Sequence, residues 1–453
     1  MGFKKDFIWG AAAAAYQIEG AVTEDGKGLS IWDMFCKKPG VINEGQSGEI
    51  ACDHYHRYKE DVQLMKQIGI KAYRLSFSWP RIIPDGIGDV NPKGIEFYNN
   101  LIDELLANGI TPYVTLYHWD LPLALYNKGG WANPESPDWF ANYAKVVAEN
   151  FSDRVKNFIT FNEPQCFIGI CFVTGEHAPG LKMSLTETIP MSHYVMLAHG
   201  KAVKAMRQYG AKDIKIGYAP TFAYAYPETN STADIEAARS YNFSMNNNPN
   251  YWHWNVTWWS DPVYFGKYPK DGLEMYGQYL PKNYEKDLPI INQPLDFLGQ
   301  NIYNGPMIRA GDKGKCEQVP RYEGFPHTNY NWPVEPNALK WCAKFLYERY
   351  KLPIVITENG MSCHDAISLD GAVHDPNRID FLHRYLLALK EAADEGTDIS
   401  AYFLWSIMDN FEWNKGYYER FGLIYVDFRT QKRIIKDSGY WYKEVIEHNG
   451  ENL

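Results

Sequence analysis

The feature that most constrains this chain is an alternation. Eight short apolar runs, at residues 7–15, 72–77, 111–117, 158–161, 214–219, 297–302, 354–357 and 401–405, recur along its 453 residues. Between them lie stretches with apolar residues every three or four positions. Tyr58, Val62, Met65 and Ile68 share one face of 55–68, and Ile95, Tyr98, Ile102 and Leu105 one face of 94–108. Segments 138–151, 192–209, 337–350 and 377–394 repeat that spacing. A short apolar run bounded by turn residues reads as a strand buried on both faces, and the 3.6-residue spacing reads as a helix. Pro92 and Pro336-Asn337 sit where helices start, and Gly69, Gly109 and Gly210 where they stop.

Doubly buried strands separated by helices imply a parallel sheet. Eight such units predict an α/β fold, a single (β/α)8 TIM barrel spanning 1–453, with its site at the C-terminal ends of the strands. A doubly wound open sheet would carry a Gly-rich phosphate loop after an early strand, and the sequence has none. The barrel is expected to have long βα loops. These are 220–295 (with a helical piece at 233–245), the Gly- and charge-rich 307–336, and the aromatic 408–427. Loops of this length in a compact domain are usually functional.

Two of the eight runs end alike. Ile354-Val355-Ile356 leads into Thr357-Glu358-Asn359-Gly360, and Phe158-Ile159-Thr160-Phe161 into Asn162-Glu163-Pro164. An unpaired buried carboxylate is costly, so each Glu is expected where its strand opens into a site. Cleaving a glycosidic bond takes two carboxyl groups, one to protonate the leaving oxygen and one to attack or to activate water. On spacing alone, a single strand-end Glu reads equally well as a structural carboxylate paired with Arg. Two in matching context favour joint action. Other strand ends supply Gln17 and Glu19, Arg74, Tyr117-His118-Trp119-Asp120, Asn301-Ile302-Tyr303, Trp405, and then Glu412-Trp413. Amides, imidazole and carboxylates match vicinal hydroxyls, and Trp faces stack on the C–H face of a pyranose. Singly, His118 reads as a structural histidine, Trp405 as core and Arg74 as a counter-charge to buried acid. Together they point to a sugar site.

The remaining composition narrows the partners. A net charge of −10 and a pI near 5.7 argue against nucleic-acid or anionic-membrane partners. No apolar run of about 18 residues suggests a membrane span. The apolar stretch after Lys4-Lys5-Asp6 is short and passes directly into Gln17-Ile18-Glu19-Gly20, so it reads as a first strand rather than a signal peptide. Seven cysteines, an odd number without any Cys-x-x-Cys pair, suggest a reduced cytoplasmic protein. His54-Tyr55-His56 and His374-Asp375 do not complete a ligand set, so no metal and no cofactor is expected. Oligomeric state is not legible.

The motifs then take on a pattern. Phe7-Ile8-Trp9-Gly10, Ala14-Ala15-Tyr16-Gln17-Ile18-Glu19-Gly20, Tyr73-Arg74-Leu75-Ser76-Phe77-Ser78-Trp79, Tyr117-His118-Trp119-Asp120, Thr160-Phe161-Asn162-Glu163-Pro164, Ile356-Thr357-Glu358-Asn359-Gly360 and 405–413 follow in this order. The chain resembles a family 1 glycoside hydrolase of the β-glucosidase type. The resemblance implies a retaining, exo-acting enzyme that removes terminal non-reducing β-D-glucosyl residues from β-glucosides and short oligosaccharides such as cellobiose. It would act by double displacement through a covalent glycosyl-enzyme, in carbohydrate metabolism and cellulose degradation. It leaves open β-galactosyl and β-fucosyl substrates, the natural leaving group, and the balance with transglycosylation at the same site. A non-catalytic sugar-binding barrel is the rival. It would keep Gln17, Trp119 and Trp405 but need neither Glu163 nor Glu358.

By the same resemblance, Glu358 matches the nucleophile and Glu163 the acid/base. Asn162 would meet the sugar 2-hydroxyl. Gln17, His118 and Glu412 would hold the other hydroxyls, beside Trp119 and Trp413, over a floor formed by Trp405. Arg74 and Tyr303 would lie against the nucleophile, and Asn301 on the acid/base side. Relatives acting on 6-phospho sugars usually replace the residue matching Glu412 and add Lys and Tyr. Lys415 and Tyr417 are present here, but Glu412 would repel a phosphate, so free sugars are expected. Thioglucoside-cleaving plant relatives carry Gln where Glu163 stands. Many relatives place Trp directly after Asn-Glu-Pro, whereas this chain has Gln165 and Cys166. Gln165 and Trp332 are therefore candidates for the leaving-group side, with Trp332 equally readable as a loop anchor packed on the barrel.

Overall fold

A computed structural model of the chain describes residues 2–312 and 315–453. Eight strands close into a parallel barrel: β1 (Ile8–Ala12), β2 (Ala72–Ser76), β3 (Thr111–Tyr117), β4 (Asn157–Asn162), β5 (Lys215–Ala219), β6 (Phe297–Asn301), β7 (Ile354–Asn359) and β8 (Ile399–Trp405). Each strand pairs with its chain neighbour, and β8 closes on β1 with Ile8 opposite Ala401 and Ala12 opposite Trp405. All residues of β2, β4, β6 and β7 are buried. This is the arrangement of a TIM barrel, which hides one strand face under helices and the other inside the barrel.

The helices form the outer layer. His54–Ile68, Pro92–Ala107, Ser136–Phe151, Leu185–Tyr209, Asn337–Tyr350, Pro376–Asp394 and Asp437–Glu447 turn their apolar stripes inward. Inside the barrel, large and small side chains face one another. Tyr113 lies 4.8 Å from Phe403 and 6.4 Å from Phe297, ring to ring. A Cβ on Gly10 would come within 2.5 Å of the Phe403 ring, and one on Gly217 within 2.2 Å of the Phe297 ring. These two glycines make room for the Phe403 and Phe297 rings, which with Tyr113 plug the barrel. The barrel is thus filled below, and the open end lies at the C-terminal strand tips.

Several boundaries differ from expectation. The first strand stops at Ala12, and Ala15–Ile18 is a helical turn that carries Gln17. The helix expected at 192–209 begins at Leu185. Ser184 and Glu187 form a capping box, with Ser184 N donating to Glu187 Oε2 at 2.9 Å, and Pro190 inside the helix hides this start from a periodicity reading. Segment 307–336, read as loop, carries Met307–Ala310 and Cys316–Gln318, which pair antiparallel and join Tyr226–Pro227 in a small sheet. These strands are short and partly exposed, so they lack the apolar runs that marked the barrel. The aromatic loop after β8 also ends in a strand, Ile424–Asp427, paired with Lys432–Ile435. Among the described residues, no helix is long and apolar enough to cross a membrane, and all seven cysteines are free.

Candidate active site

The strand tips surround a cavity of about 420 Å³. Glu163 follows the last residue of β4 and precedes Pro164, the first residue of a short helix (Pro164–Gly169). Its backbone is left-handed, with φ +48°. Trp119 (φ +78°) and Trp413 (φ +51°) share that conformation, and all three line the cavity. Such backbone is rare and costly for non-glycine residues, and it concentrates where side chains must be aimed.

Glu358 belongs to β7 and is held by two donors. Arg74 Nη1 donates to Oε1 at 2.7 Å and Tyr303 Oη to Oε2 at 2.8 Å. Arg74 is itself fixed from several sides. Its Nη1 also reaches Thr357 O (2.9 Å), its Nε reaches Thr115 Oγ1 (3.1 Å), and its Nη2 reaches Asn162 Oδ1 (2.6 Å). Glu163 is held by a neutral group: Asn301 Nδ2 donates to its Oε1 at 2.7 Å. The same Nδ2 donates to Asn162 Oδ1 at 2.9 Å, while Thr357 Oγ1 fixes Asn301 Oδ1 at 2.6 Å. The two carboxylates are thereby joined through Asn301, Asn162 and Arg74.

Their surroundings differ electrostatically. Burial pushes both carboxyl groups up. For Glu163, the negative charge of Glu358 adds to burial, and the group is raised to about 7. For Glu358, the Arg74 guanidinium and the Tyr303 hydroxyl oppose burial. The proton shared by this pair therefore resides on Glu163 and the charge on Glu358. Tyr303 stays a phenol, because burial and the Glu358 charge raise it well above its ordinary range.

Around this pair, His118 Nε2 faces Asn162 Nδ2 at 3.1 Å. Burial first, and the Arg74 charge second, hold His118 neutral. Its ring stacks between Trp405 (5.8 Å) and Trp413 (6.1 Å). Trp119 stacks on Trp413 at 4.6 Å and donates Nε1 to Asn162 O at 3.0 Å. Glu412 accepts from Gln17 Nε2 at 3.3 Å, and burial and then Glu358 push it to about 8. Gln17 also donates to Asn410 Oδ1 (3.0 Å) and Phe411 O (2.9 Å); its buried Oε1 has no partner, and Gln17 is not among the residues that line the cavity. Asn162, Glu163, His118, Trp119, Tyr303, Glu358, Trp405, Glu412 and Trp413 line the cavity, and Arg74 and Asn301 stand behind them.

The leaving-group candidates behave differently. Trp332 lines the cavity, stacked 4.4 Å from Tyr330 and tilted against Tyr303 at 4.9 Å. Gln165 does not line it. That side chain is fully buried, with Nε2 toward Asn255 O (3.5 Å) and Oε1 toward Thr221 N (3.3 Å), and Cys166 takes the cavity wall instead. Lys415 lies at the rim, with Nζ 5.6 Å from the Tyr330 ring, whereas the Tyr417 hydroxyl donates to Ser47 O at 2.7 Å and lies outside the lining.

Sequence reasoning noted Cys166 only as the residue that follows Gln165 and did not single out His177, Phe222 or Tyr330; all four line the cavity. His177 packs against Trp32, Trp119 and Trp413. None of the four sits at a strand end. The one signal available was that long loops carry aromatics, and it does not say which.

Comparison with known proteins finds relatives over the whole length of the chain. The family model for glycosyl hydrolase family 1 matches residues 1–451. Beta-glucosidase A of Thermotoga maritima is 45% identical over 99% of this chain and 98% of its own length. Beta-glucosidase A of Acetivibrio thermocellus is 45% identical over 99% of each chain. The solved structure of the family 1 β-glucosidase from Thermotoga maritima in complex with isofagomine lactam superposes with a TM-score of 0.89. It is 45% identical and 99% of each chain is covered.

Proposed function

We propose, from the premise that this chain belongs to glycosyl hydrolase family 1, that its β-glucosidase activity proceeds with retention, Glu358 serving as nucleophile and Glu163 as acid/base. The observation that carries this reading is the unequal support of the two carboxylates: a cation and a phenol on Glu358, a neutral amide on Glu163. In the first step a Glu358 carboxylate oxygen bonds to the anomeric carbon, the bond to the leaving oxygen breaks, and that oxygen takes the Glu163 proton. Glu358 is then an uncharged ester, so the repulsion that raised Glu163 is gone and Glu163 serves as a base. In the second step water gives a proton to Glu163 and attacks the anomeric carbon, and the Glu358 carboxylate is released with β-glucose. Retention requires carboxyl groups about 5–5.5 Å apart, too close for an intervening water.

The substrates proposed are unphosphorylated β-glucosides and short oligosaccharides such as cellobiose. Glu412, tied to Gln17, supports recognition of hydroxyls, the negative field of Glu358, Glu419 and Glu163 that adds to burial in raising it disfavours a phosphate there, and Tyr417 is committed to Ser47 O. Removal of single glucosyl units from such fragments would place the enzyme after a reaction that cuts longer β-glucans. Seven free cysteines support a reducing, cytoplasmic setting; a requirement for an oxidant to reach full activity would contradict it. The reading is tested with aryl β-glucoside, β-galactoside, β-fucoside and 6-phospho-β-glucoside, plus cellobiose and lactose, while the first-formed anomer is followed by NMR. β-Glucose should appear first, and the plain glucoside should outrun its 6-phosphate. Initial release of α-glucose, or the reverse preference, would overturn the assignment.

A further inference from the structure

Trp332 lines the cavity, yet its ring contacts lead back to Glu358. The segment that carries it is a tight loop. Thr328 N donates to Trp332 O (2.8 Å), Asn331 N donates to Thr328 O (2.9 Å), and Asn331 takes the left-handed conformation at φ +62° that asparagine tolerates. The loop is pinned to the chain just beyond β7. Tyr330 N donates to Ser362 Oγ at 2.9 Å and Asn329 N to Ser362 O at 3.2 Å, and Ser362 is fully buried. Ser362 lies four residues after Glu358. From this anchor the rings run inward: Tyr330 stacks on Trp332, and Trp332 packs on Tyr303, all backed by Phe421.

Tyr303 needs such a support. Its backbone carbonyl is held by Tyr385 Oη at 2.8 Å, but its side chain borders the open cavity, and its hydroxyl must stay 2.8 Å from Glu358 Oε2. The only ring contacts described for Tyr303 are Trp332 at 4.9 Å and Phe421 at 6.4 Å. The path is therefore closed: the strand end that bears Glu358 holds the loop, the loop holds Trp332, Trp332 holds Tyr303, and Tyr303 returns to Glu358.

We propose that Trp332, clipped by Ser362, is a positioning residue for the nucleophile, acting by fixing the Tyr303 hydroxyl on Glu358 in addition to any contact with the leaving group. This rests on the assignment of Glu358 as nucleophile. It makes a claim that a mere stacking platform would not satisfy, namely that Trp332 matters even when the leaving group offers nothing to stack. Loss of the Tyr303 hydrogen bond removes one group that favours the Glu358 anion, so the ionisation that must occur before attack moves to higher pH.

The test compares wild type with Trp332→Ala, Trp332→Phe, Tyr303→Phe and the Tyr303→Phe/Trp332→Ala double variant on β-D-glucosyl fluoride, whose leaving group is a single atom. Trp332→Ala should lower kcat/KM several-fold and move the acidic limb upward in the same direction as Tyr303→Phe. Trp332→Phe should recover most of the loss, and the double variant should be little worse than Tyr303→Phe alone. An unmoved acidic limb in a folded Trp332→Ala protein, or full additivity in the double variant, would overturn the proposal. Ser362→Ala and Ser362→Thr give a second route in which only the alanine variant should shift the limb. If wild type does not turn over the fluoride at all, the nucleophile assignment itself fails, which is a distinguishable result.

Discussion

The two halves of the cavity are built on opposite plans. The half that would hold the glucosyl ring is made of strand ends and the residues directly after them, Asn162, Glu163, His118, Glu358 and Trp405, joined by Glu412 from the loop after β8. Its side chains are tied by short bonds, so that Asn162 alone meets Arg74, Asn301 and His118. The other half is made of loop residues, Phe222, Trp254, Tyr330 and Trp332, which touch one another through rings: Phe222 to Trp254 at 5.9 Å and Tyr330 to Trp332 at 4.4 Å. A reacting centre must be held to a fraction of an ångström, and a rigid barrel rim with multiply bonded side chains provides that. A leaving group that varies needs apolar surface more than fixed bonds, and long loops can supply it without disturbing the rim.

Substitutions should fall off in effect from the first half to the second. Glu358→Ala should cost on the order of 10⁴-fold or more in kcat with every leaving group, because the covalent path is lost; a variant within ten-fold of wild type on an aryl glucoside would break the contrast at its root. Glu163→Ala should cost about 10²–10⁴-fold with alkyl glucosides and far less with glucosyl fluoride, which needs little protonation. In wild type, kcat/KM should fall as pH rises through about 7, since the acid must carry its proton, and that limb should be missing from the Glu163→Ala profile. Glu412→Gln should lower kcat/KM for glucosides by roughly 2–10-fold at neutral pH, equivalent to a neutral hydrogen bond of about 0.5–1.5 kcal/mol, because Glu412, raised to about 8, carries its proton there. It should also narrow the gap to the 6-phosphoglucoside, and an unchanged substrate ratio would count against its role. Trp254→Ala should be mildest. It should raise KM for aryl glucosides a few-fold, about 0.5–1.5 kcal/mol for a lost ring contact, and leave glucosyl fluoride untouched. Competition kinetics between the two substrates would show whether it does.

Legibility follows the same division. The rim was readable because a strand run ends abruptly, and whatever polar residue comes next is placed at the mouth. That logic reached Glu163, Glu358, His118 and Trp405. It reached Arg74 too, although that residue lies inside β2 and points along the barrel interior to Glu358. Which carboxylate is charged was not readable from spacing, only from the resemblance, because it depends on Arg74, Tyr303 and Asn301, whose reach no spacing reveals. Gln165 shows the limit on the other side. It is adjacent in sequence to the cavity wall, but the first turn of its helix directs Cys166 outward and Gln165 toward Asn255 and Thr221. His177, Phe222 and Tyr330 come from loops whose paths are set by packing, not by any local period. The helix start at Leu185 was missed for a different reason: Pro190 breaks the pattern, while the capping box six residues earlier carries the true signal.

The central claim is that Glu358, held by Arg74 and Tyr303, forms a bond to the sugar. It is tested most directly by treating the enzyme with 2-deoxy-2-fluoro-β-D-glucosyl fluoride, whose fluorine slows release of the intermediate, and then measuring intact mass and mapping the labelled peptide. One fluoroglucosyl group per chain, on the peptide containing Glu358 and absent from Glu358→Ala, is the predicted result. An unlabelled enzyme that still hydrolyses aryl β-glucosides, or a label on Glu163, would contradict it.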